Sequence, residues 1–349
     1  MKKRVFAAVF GLYFLMISIT SCSRQELVRY DAQFLQLFDT VTSIVGYAKD
    51  KDTFTKYAQL LYDELKIYHE LYDIYNDYEG VNNIKTINDH AGIEPVVVDQ
   101  KIIDMLDFSK EMYQQTNGRV NVAMGSVLSI WHEYRTDGTD DPEHAKIPPM
   151  ELLEEANKHT DINKIVIDYE ASTVYLSDPD MSLDVGAIAK GYAAEQVSQT
   201  LEKKGLKKAL ISVGGNVRAI GTKEGGEKWK VGIQNPDLSS QQNYLHTVSV
   251  EDQSLVTSGA YQRYYTVDGV QYHHIIHPDL LMPWNEYESV SILCHDSGVA
   301  DALSTAVFNM SLEDGMDMIE NIDQAEAMWI LPDKSEYYTS GFMIDKDSQ

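Results

Sequence analysis

The chain has 349 residues, 54 of them acidic and 29 basic, and carries a formal net charge of −25 at pH 7. That balance excludes nucleic acid as a partner, because a nucleic-acid site needs a positive footprint, and it excludes broad electrostatic adhesion to anionic lipid. The length suits one large or two medium domains, and with only two cysteines the core must be stabilised by packing rather than by a disulfide framework.

The first segment reads as a targeting signal. Lys2, Lys3 and Arg4 precede an apolar run from Val5 to Ile19, too short to span a bilayer and the right size for a signal core. It ends in Ile19-Thr20-Ser21-Cys22, and a small residue before Cys at a cleavage point resembles a bacterial lipobox. Residues 1–21 are then a lipoprotein signal peptide, Cys22 carries the lipid, and 22–28 is a tether. The protein would lie outside the cytoplasm on a bacterial membrane. The alternatives are an ordinary signal peptide with an incidental Cys, or an uncleaved anchor.

Further along, Tyr30 to Ala48 reads as strand. Phe54 to Tyr72 reads as helix, with Tyr57, Leu60, Leu61, Leu65, Tyr68 and Leu71 at helical spacing. Pro95 to Val98 is a short strand, and a helix over Ile102 to Gln115 is stopped by Asn117-Gly118. A second apolar helix covers Val122 to Tyr134. Residues 136–149 are acidic and turn-rich and read as an exposed insertion or subdomain linker. Met150 to Asn157 is helix, Lys164 to Asp168 and Thr173 to Leu176 form a hairpin, and Ile188 to Lys203 is helix. Strands follow at 209–212, 229–233, 245–250, 261–267, 270–276 and 290–294, with Asp268-Gly269 a two-residue hairpin turn. A helix over Val299 to Met310, another after Ser311, and strands at 327–330 and 337–342 complete the chain. Mixed helices and antiparallel strands predict an α+β fold of antiparallel sheets with packed helices, one domain over 29–349. Cys294, within Ser291-Ile292-Leu293-Cys294, reads as a buried structural thiol.

Three stretches carry chemistry. In Val299 to Met310, Asp301 and Thr305 stand four residues apart, so a carboxylate and a hydroxyl share one helix face. Such hard oxygen ligands suit Mg2+; the bland alternative is an Asp near the helix start and a Thr bonding back to its own helix. In Ser182 to Tyr192, a strand ends near Asp184, Gly186 permits a turn, and Lys190 falls in the first turn of a helix whose N-terminus favours phosphate. In Ser212-Val213-Gly214-Gly215-Asn216 the glycine pair does not fit a dinucleotide fingerprint and marks either a ligand approach or a bulge. Arg263 and one of His273 and His274 can share a face of the hairpin around Asp268-Gly269. Neighbouring histidines on a strand point to opposite faces, so the pair does not chelate zinc easily.

These segments together are similar to the ApbE family, the FAD:protein FMN transferases. The resemblance rests on Asp184 to Tyr192, Ser212 to Asn216, Ser258 to Arg263, His274-Ile275-Ile276 and Ala300 to Ala306, in that order. Phe38-Asp39-Thr40, Tyr75-Asn76-Asp77-Tyr78 and Gly118 to Trp131 resemble further family segments. The resemblance implies Mg2+-dependent transfer of FMN from FAD to a Thr or Ser hydroxyl of an acceptor protein carrying a flavinylation motif, with release of AMP. It implies a metal on the Ala187 carbonyl, Asp301 and Thr305, nucleotide contacts from Phe38, Tyr75, Val120, Asn121, Val122, Asp184 and Lys190, and proton transfer by His274. Other readings of the same site are an FAD pyrophosphatase and a non-catalytic FAD-binding lipoprotein. Phe38-Asp39, Asn121, Ser126 and His277 to Leu281 depart from the usual family residues and bear on how the flavin is clamped, not on the metal-binding helix face.

Overall fold

The computed structural model describes residues 26–345; Cys22 and the signal segment lie outside them. In chain order the elements are β1 (Val28–Leu37), β2 (Thr40–Ala48), α1 (Lys51–Tyr72), α2 (Ile84–Asp89), β3 (Val96–Val97), α3 (Gln100–Gln115), α4 (Gly125–Asp140), α5 (Met150–Asn157), β4 (Ile165–Asp168), β5 (Thr173–Leu176), α6 (Ala189–Lys203), β6 (Ala209–Val213), β7 (Asn216–Ile220), β8 (Trp229–Gln234), β9 (Tyr244–Val250), β10 (Ser254–Gly259), β11 (Tyr264–Val267), β12 (Val270–His273), β13 (Ser289–Cys294), α7 (Ser297–Phe308), α8 (Leu312–Glu320), β14 (Glu326–Ile330) and β15 (Glu336–Tyr338).

An eight-stranded sheet in the order β1-β2-β6-β7-β10-β13-β14-β15 organises the molecule. Each of its pairings is antiparallel, which gives the α+β class. Both of its faces are covered, and this explains the continuous apolar run of β13, whose residues are all buried. One face carries α1, α6 and α7 and the main core, including Ile44, Leu61, Leu65, Val197, Ile211, Ile292, Leu303 and Phe308. The other is covered by the β8–β9 hairpin through Trp229, Val231, Ile233, Val248 and Val250, against Leu255, Leu293 and Met328. A third cluster joins α4 to the β11–β12 hairpin: Trp131 stacks on Tyr272 with ring centroids 6.1 Å apart, and its indole N–H donates to Leu281 O at 2.9 Å.

Several sequence expectations change. The strand read across 30–48 is two strands, because Phe38 and Asp39 turn the chain with φ of 53° and 51°. Gly214 and Gly215, at φ of 57° and 94°, are the β6–β7 hairpin turn, with Val213 paired to Asn216. β7 and β10 escape apolar-periodicity reading, since one carries Arg218 and the other is rich in Ser, Thr and Gly. Within the acidic stretch 136–149, α4 continues through Asp140, and Gly138 is buried against Tyr265, whose hydroxyl donates to Lys146 O at 2.9 Å. The segment before Gly186 is not a ladder strand; hydrogen bonds to Asn88, Val122 and Gly125 hold it. No helix among the described residues is long and apolar enough to cross a membrane.

One buried ion pair locks the sheet to the two helices that form the site. Arg218 Nε on β7 donates to Glu195 Oε2 on α6 at 3.0 Å, and the same oxygen accepts the Ser297 N–H that opens α7, also at 3.0 Å. Both side chains are about 3 % exposed or less. Removing one partner of such a pair strands a buried charge. Arg218→Leu should therefore cost about 3–5 kcal/mol of unfolding free energy in a guanidinium titration; a loss below about 1 kcal/mol would show the lock carries little.

Candidate active site

The site is a cleft of about 360 Å3 bounded by two walls. One wall is α6, α7 and the Asp184-to-Ala187 turn. The other is α4, Gln262, Arg263 and the His274-to-Ile276 segment. Phe38 to Thr40 and Asp73 to Asn76 border it as well.

The geometry of the first wall comes from one hydrogen bond. Gly191 is the third residue of α6, so its N–H is one of the first-turn donors that have no partner within the helix. It donates to Asp301 Oδ2 at 2.8 Å, across the α6–α7 interface. Ala187, just before the helix, lines the cleft with Asp301 and Thr305, and its carbonyl accepts no hydrogen bond among the described residues. The approach needs glycine, because a Cβ at 191 would lie 2.3 Å from Ser297 O and 2.4 Å from Asp301 Cβ. The bland reading of Asp301 and Thr305 is not realised. Asp296, not Asp301, caps α7, and the hydroxyl that bonds back to Asp301 O is Ser304's, at 2.9 Å. The Thr305 hydroxyl makes no hydrogen bond among the described residues.

Asp301 is 4 % exposed. Burial pushes its carboxyl pKa up, opposed by Lys190, whose Nζ is 4.0 Å away, and by the Gly191 N–H. The Asn216 amide also lowers it, although its Nδ2 makes no hydrogen bond of good geometry. An under-neutralised carboxylate, an unused hydroxyl and an unused carbonyl, all hard oxygens, form a donor set that fits Mg2+. Asp184 is likewise pushed up by burial and held down by the Gly186 N–H at 2.8 Å and by His132, Arg135 and Lys190. The N–H groups expected to seat a phosphate at this turn are thus partly taken by the protein's own carboxylates, at Gly186 and Gly191. Lys190 remains as the cation of this wall, lining the cleft.

On the second wall, β12 ends at His273, and His274 lies in the bend that follows, so the strand expected over 270–276 stops short and the two rings part at its end. His273 packs edge-on to Phe308 in the core, and its pKa is lowered to about 4 by burial. His274 lines the cleft. Its Nδ1 lies 3.3 Å from Arg263 O, so Nδ1–H donates there and the Nε2 lone pair is left free. Burial, then Arg263, His273, Arg135 and Lys190, lower its pKa to about 3.

Phe38 and Tyr75 line the cleft on a relay. The Phe38 N–H donates to His69 Nδ1 at 3.3 Å, which puts the imidazole proton on Nε2, facing the Tyr78 oxygen at 3.3 Å; Tyr78 O–H donates to Asp73 at 2.7 Å. Asp73 also accepts the Tyr75 N–H at 2.7 Å. Val120 and Asn121 line the cleft too, with the Asn121 side chain spent on the Ala123 N–H and Thr160 O. Val122 does not: its side chain is in the core and its carbonyl accepts the Asp184 N–H. Sequence reading missed His132, Arg135 and Thr257, and quoted Asn216 and Gln262 in motifs without giving them a role; for His132 and Arg135 the signal was two basic side chains three residues apart on one helix face. Outside the cleft, His159, Asp178 and Asp180 bring ligand atoms within 4.8 Å of one another, but His159 Nδ1 is already bonded to both Asp178 oxygens at 3.0 Å.

With two histidines held neutral, the sign of the pH effect follows. Below about pH 6.5 the unfolded chain takes up protons that the folded chain refuses until about pH 4 for His273 and about pH 3 for His274. Stability contributed by this pair is therefore complete above pH 6.5 and is lost as pH falls below it. NMR of the His274 ring protons in the unliganded protein should show no titration between about pH 5 and 8; a midpoint near 6.5 would contradict the placement.

A model of the ApbE family matches residues 38–329. The chain is 35% identical over 274 residues to the FAD:protein FMN transferase of Treponema pallidum, covering 74% of each. It is 29% identical to an FAD:protein FMN transferase of Klebsiella pneumoniae, over 78% of this chain and 81% of that one. The fold superposes on the crystal structure of the ApbE protein of Thermotoga maritima with a TM-score of 0.76 and 28% identity, covering 90% and 97% of the two chains. The flavin transferase ApbE of Vibrio cholerae, 24% identical, shares the fold with a TM-score of 0.74 over 90% and 100%. The chain belongs to the ApbE family.

Proposed function

We propose that this ApbE-family member is an FAD:protein FMN transferase. It takes FAD and transfers FMN to an acceptor protein, as its curated relatives of that name do. The finer reading adds that the acceptor group is a Ser or Thr hydroxyl, that AMP leaves, and that the reaction needs Mg2+.

The observation that carries this reading is the Gly191 N–H bond that fixes the buried Asp301 carboxylate on the cleft wall. Thr305 and Ala187 line the same cleft, and the Thr305 hydroxyl and Ala187 carbonyl have no hydrogen-bond partner among the described residues; these three would hold the metal. When bound, the ion supplies charge neutralisation to the scissile pyrophosphate. The chain's own residues do the rest. Lys190 adds a positive charge beside that face. His274, its Nδ1–H held by Arg263 O, offers Nε2 to receive the proton of the acceptor hydroxyl. The acceptor Oγ–P bond forms, the bridging P–O bond breaks, and AMP departs with that electron pair. The low basicity of His274 in the empty cleft stems from burial and from surrounding cations; an anionic substrate among them raises it toward a useful range.

We also propose that Cys22 is lipidated and that the protein works outside the cytoplasm, tethered to a bacterial membrane. This rests on the sequence of residues 1–22.

The test uses the chain from Ser23 onward with FAD, Mg2+ and an acceptor protein bearing a Ser/Thr flavinylation motif. Covalent flavin fluorescence on the acceptor after denaturing electrophoresis, with matching AMP, is the expected result. Asp301→Ala should lower the rate by about a hundred-fold or more, on the scale of losing one charge-stabilising group, with the fold intact by circular dichroism. AMP without labelled acceptor across a panel of acceptors would instead make the protein an FAD pyrophosphatase. Full transfer by the Asp301 variant would sink the metal assignment.

A further inference from the structure

Arg29, Arg119 and Arg218 each lie within 4 Å of a carboxylate. The other two arginines among the described residues, Arg135 and Arg263, do not, and both line the cleft. In a chain with 54 acidic residues against 29 basic, a guanidinium without a carboxylate is the unusual arrangement. Arg135 is the more telling of the two. It is half-buried, and burial with the neighbouring Arg263 weighs against its charge. An anionic ligand would relieve both costs.

Arg135 is also held in place. Its Nη2 donates to His132 Nδ1 at 2.9 Å, and the His132 ring lies against Tyr75 with centroids 5.2 Å apart and planes at 33°. Burial and Arg135 itself keep His132 neutral, so its lone pair stays available for that bond. The guanidinium therefore stands beside a flat aromatic pair on the α4 wall. Lys190, the Asp301 carboxylate, the Thr305 hydroxyl and the Ala187 carbonyl stand on the α6–α7 wall. Asp184 lies between them and feels His132, Arg135 and Lys190. The cleft has two separate cationic poles, one per wall.

A dinucleotide pyrophosphate has two phosphates, and a mononucleotide has one. We infer that Arg135, positioned by His132 and supported by Arg263, seats the adenylate phosphate of FAD, while the FMN phosphate lies at the Asp301–Lys190 pole. Arg135 is then a specificity-determining residue. It makes the cleft prefer FAD over the FMN moiety that it gives away, and it holds AMP until release. The inference rests on the FAD chemistry proposed above and adds the group that discriminates between dinucleotide and mononucleotide.

The experiment titrates the chain from Ser23 onward with FAD and with FMN in the presence of Mg2+, following flavin fluorescence. AMP is tested as a competitor of FAD. For Arg135→Leu, Kd for FAD and Ki for AMP should rise together, roughly ten- to hundred-fold, as for loss of a charge-assisted hydrogen bond. Kd for FMN should stay within about threefold, and the salt dependence of FAD binding should flatten. Arg135→Lys, which keeps charge but not the planar fork, should recover part of the loss. Should Arg135→Leu fail to fold, His132→Phe decides, since it keeps the ring against Tyr75 and frees the guanidinium; the FAD-to-FMN preference should then fall several-fold. An unchanged preference in the folded variants, or equal losses for FAD and FMN, overturns the inference while wild-type FMN transfer still stands. Wild-type protein that neither binds FAD nor labels an acceptor overturns the transferase reading, and this inference with it.

Discussion

The hydrogen bond from Gly191 to Asp301 is the contact on which the site depends. It uses the fact that the first N–H groups of a helix have no obligatory partner. An N–H in the first turn of α6 is satisfied by a carboxylate from α7. Two consequences follow from one bond. The two helices are drawn together until no side chain fits at position 191. The carboxylate is buried and fixed. Asp301 cannot be moved without disturbing α6, and α6 cannot be moved without disturbing the sheet, because Glu195 on the same helix is bonded to Arg218 of β7 and to the first residue of α7.

The electrostatics of the cleft differ from those of the chain. A net charge of −25 would repel a nucleotide pyrophosphate at long range, and the Debye length of about 8 Å at physiological ionic strength limits that repulsion to the mouth. Inside, the balance is even: Asp39, Asp73, Asp184 and Asp301 line the cleft with Arg119, Arg135, Lys190 and Arg263. Arg135 and Arg263 have no carboxylate within 4 Å, and Lys190 stands 4.0 Å from Asp301. His132 and His274 are kept neutral, so they act as hydrogen-bonding groups, not as further fixed charges. Under the proposed reading an anion would be met locally, by cations not spent on close ion pairs, in a partly dry pocket where each contact counts for more than it would in water.

Much of this could be read from the chain alone, for reasons that particular residues make clear. Asp301 and Thr305 were legible because helical spacing is a rule of geometry; the parting of His273 and His274 was expected from strand pleating, but β12 ends at His273 and the bend after it parts them. The α+β class followed from helices mixed with alternating runs. What could not be read was set by tertiary partners. Nothing local says that Gly191 bonds to a residue 110 positions away. Nor does local pattern reveal that Val122 turns its side chain into the core while Asn121 beside it lines the cleft. The Phe38-Asp39 turn was hidden because Phe38, unlike Asp39, is not a usual left-handed residue. It is accommodated with the Phe38 N–H bonded to His69 and the Phe38 ring edge-on to that imidazole, with centroids 5.6 Å apart. β7 was hidden by Arg218, which reads as polar and is buried only because Glu195 meets it.

The two walls of the cleft differ in what stabilises them, and this bears on how a protein substrate could be served. The α6–α7 wall grows from the main core. The α4 wall, with Tyr265, Ile276 and Leu281, belongs to a smaller cluster of its own around Trp131. The groups proposed to hold the metal and phosphate, Asp301, Thr305, Ala187 and Lys190, all stand on the first. Those proposed to meet the varying partners, His274 and Arg135, stand on the second. His274 is joined to that wall by its main chain as well, since its own N–H donates to Arg263 O at 3.1 Å, the same carbonyl that faces its ring. One carbonyl thereby fixes both the backbone position and the tautomer of His274. The free Nε2 is a property of the hairpin's hydrogen bonding and does not wait on the arrival of substrate.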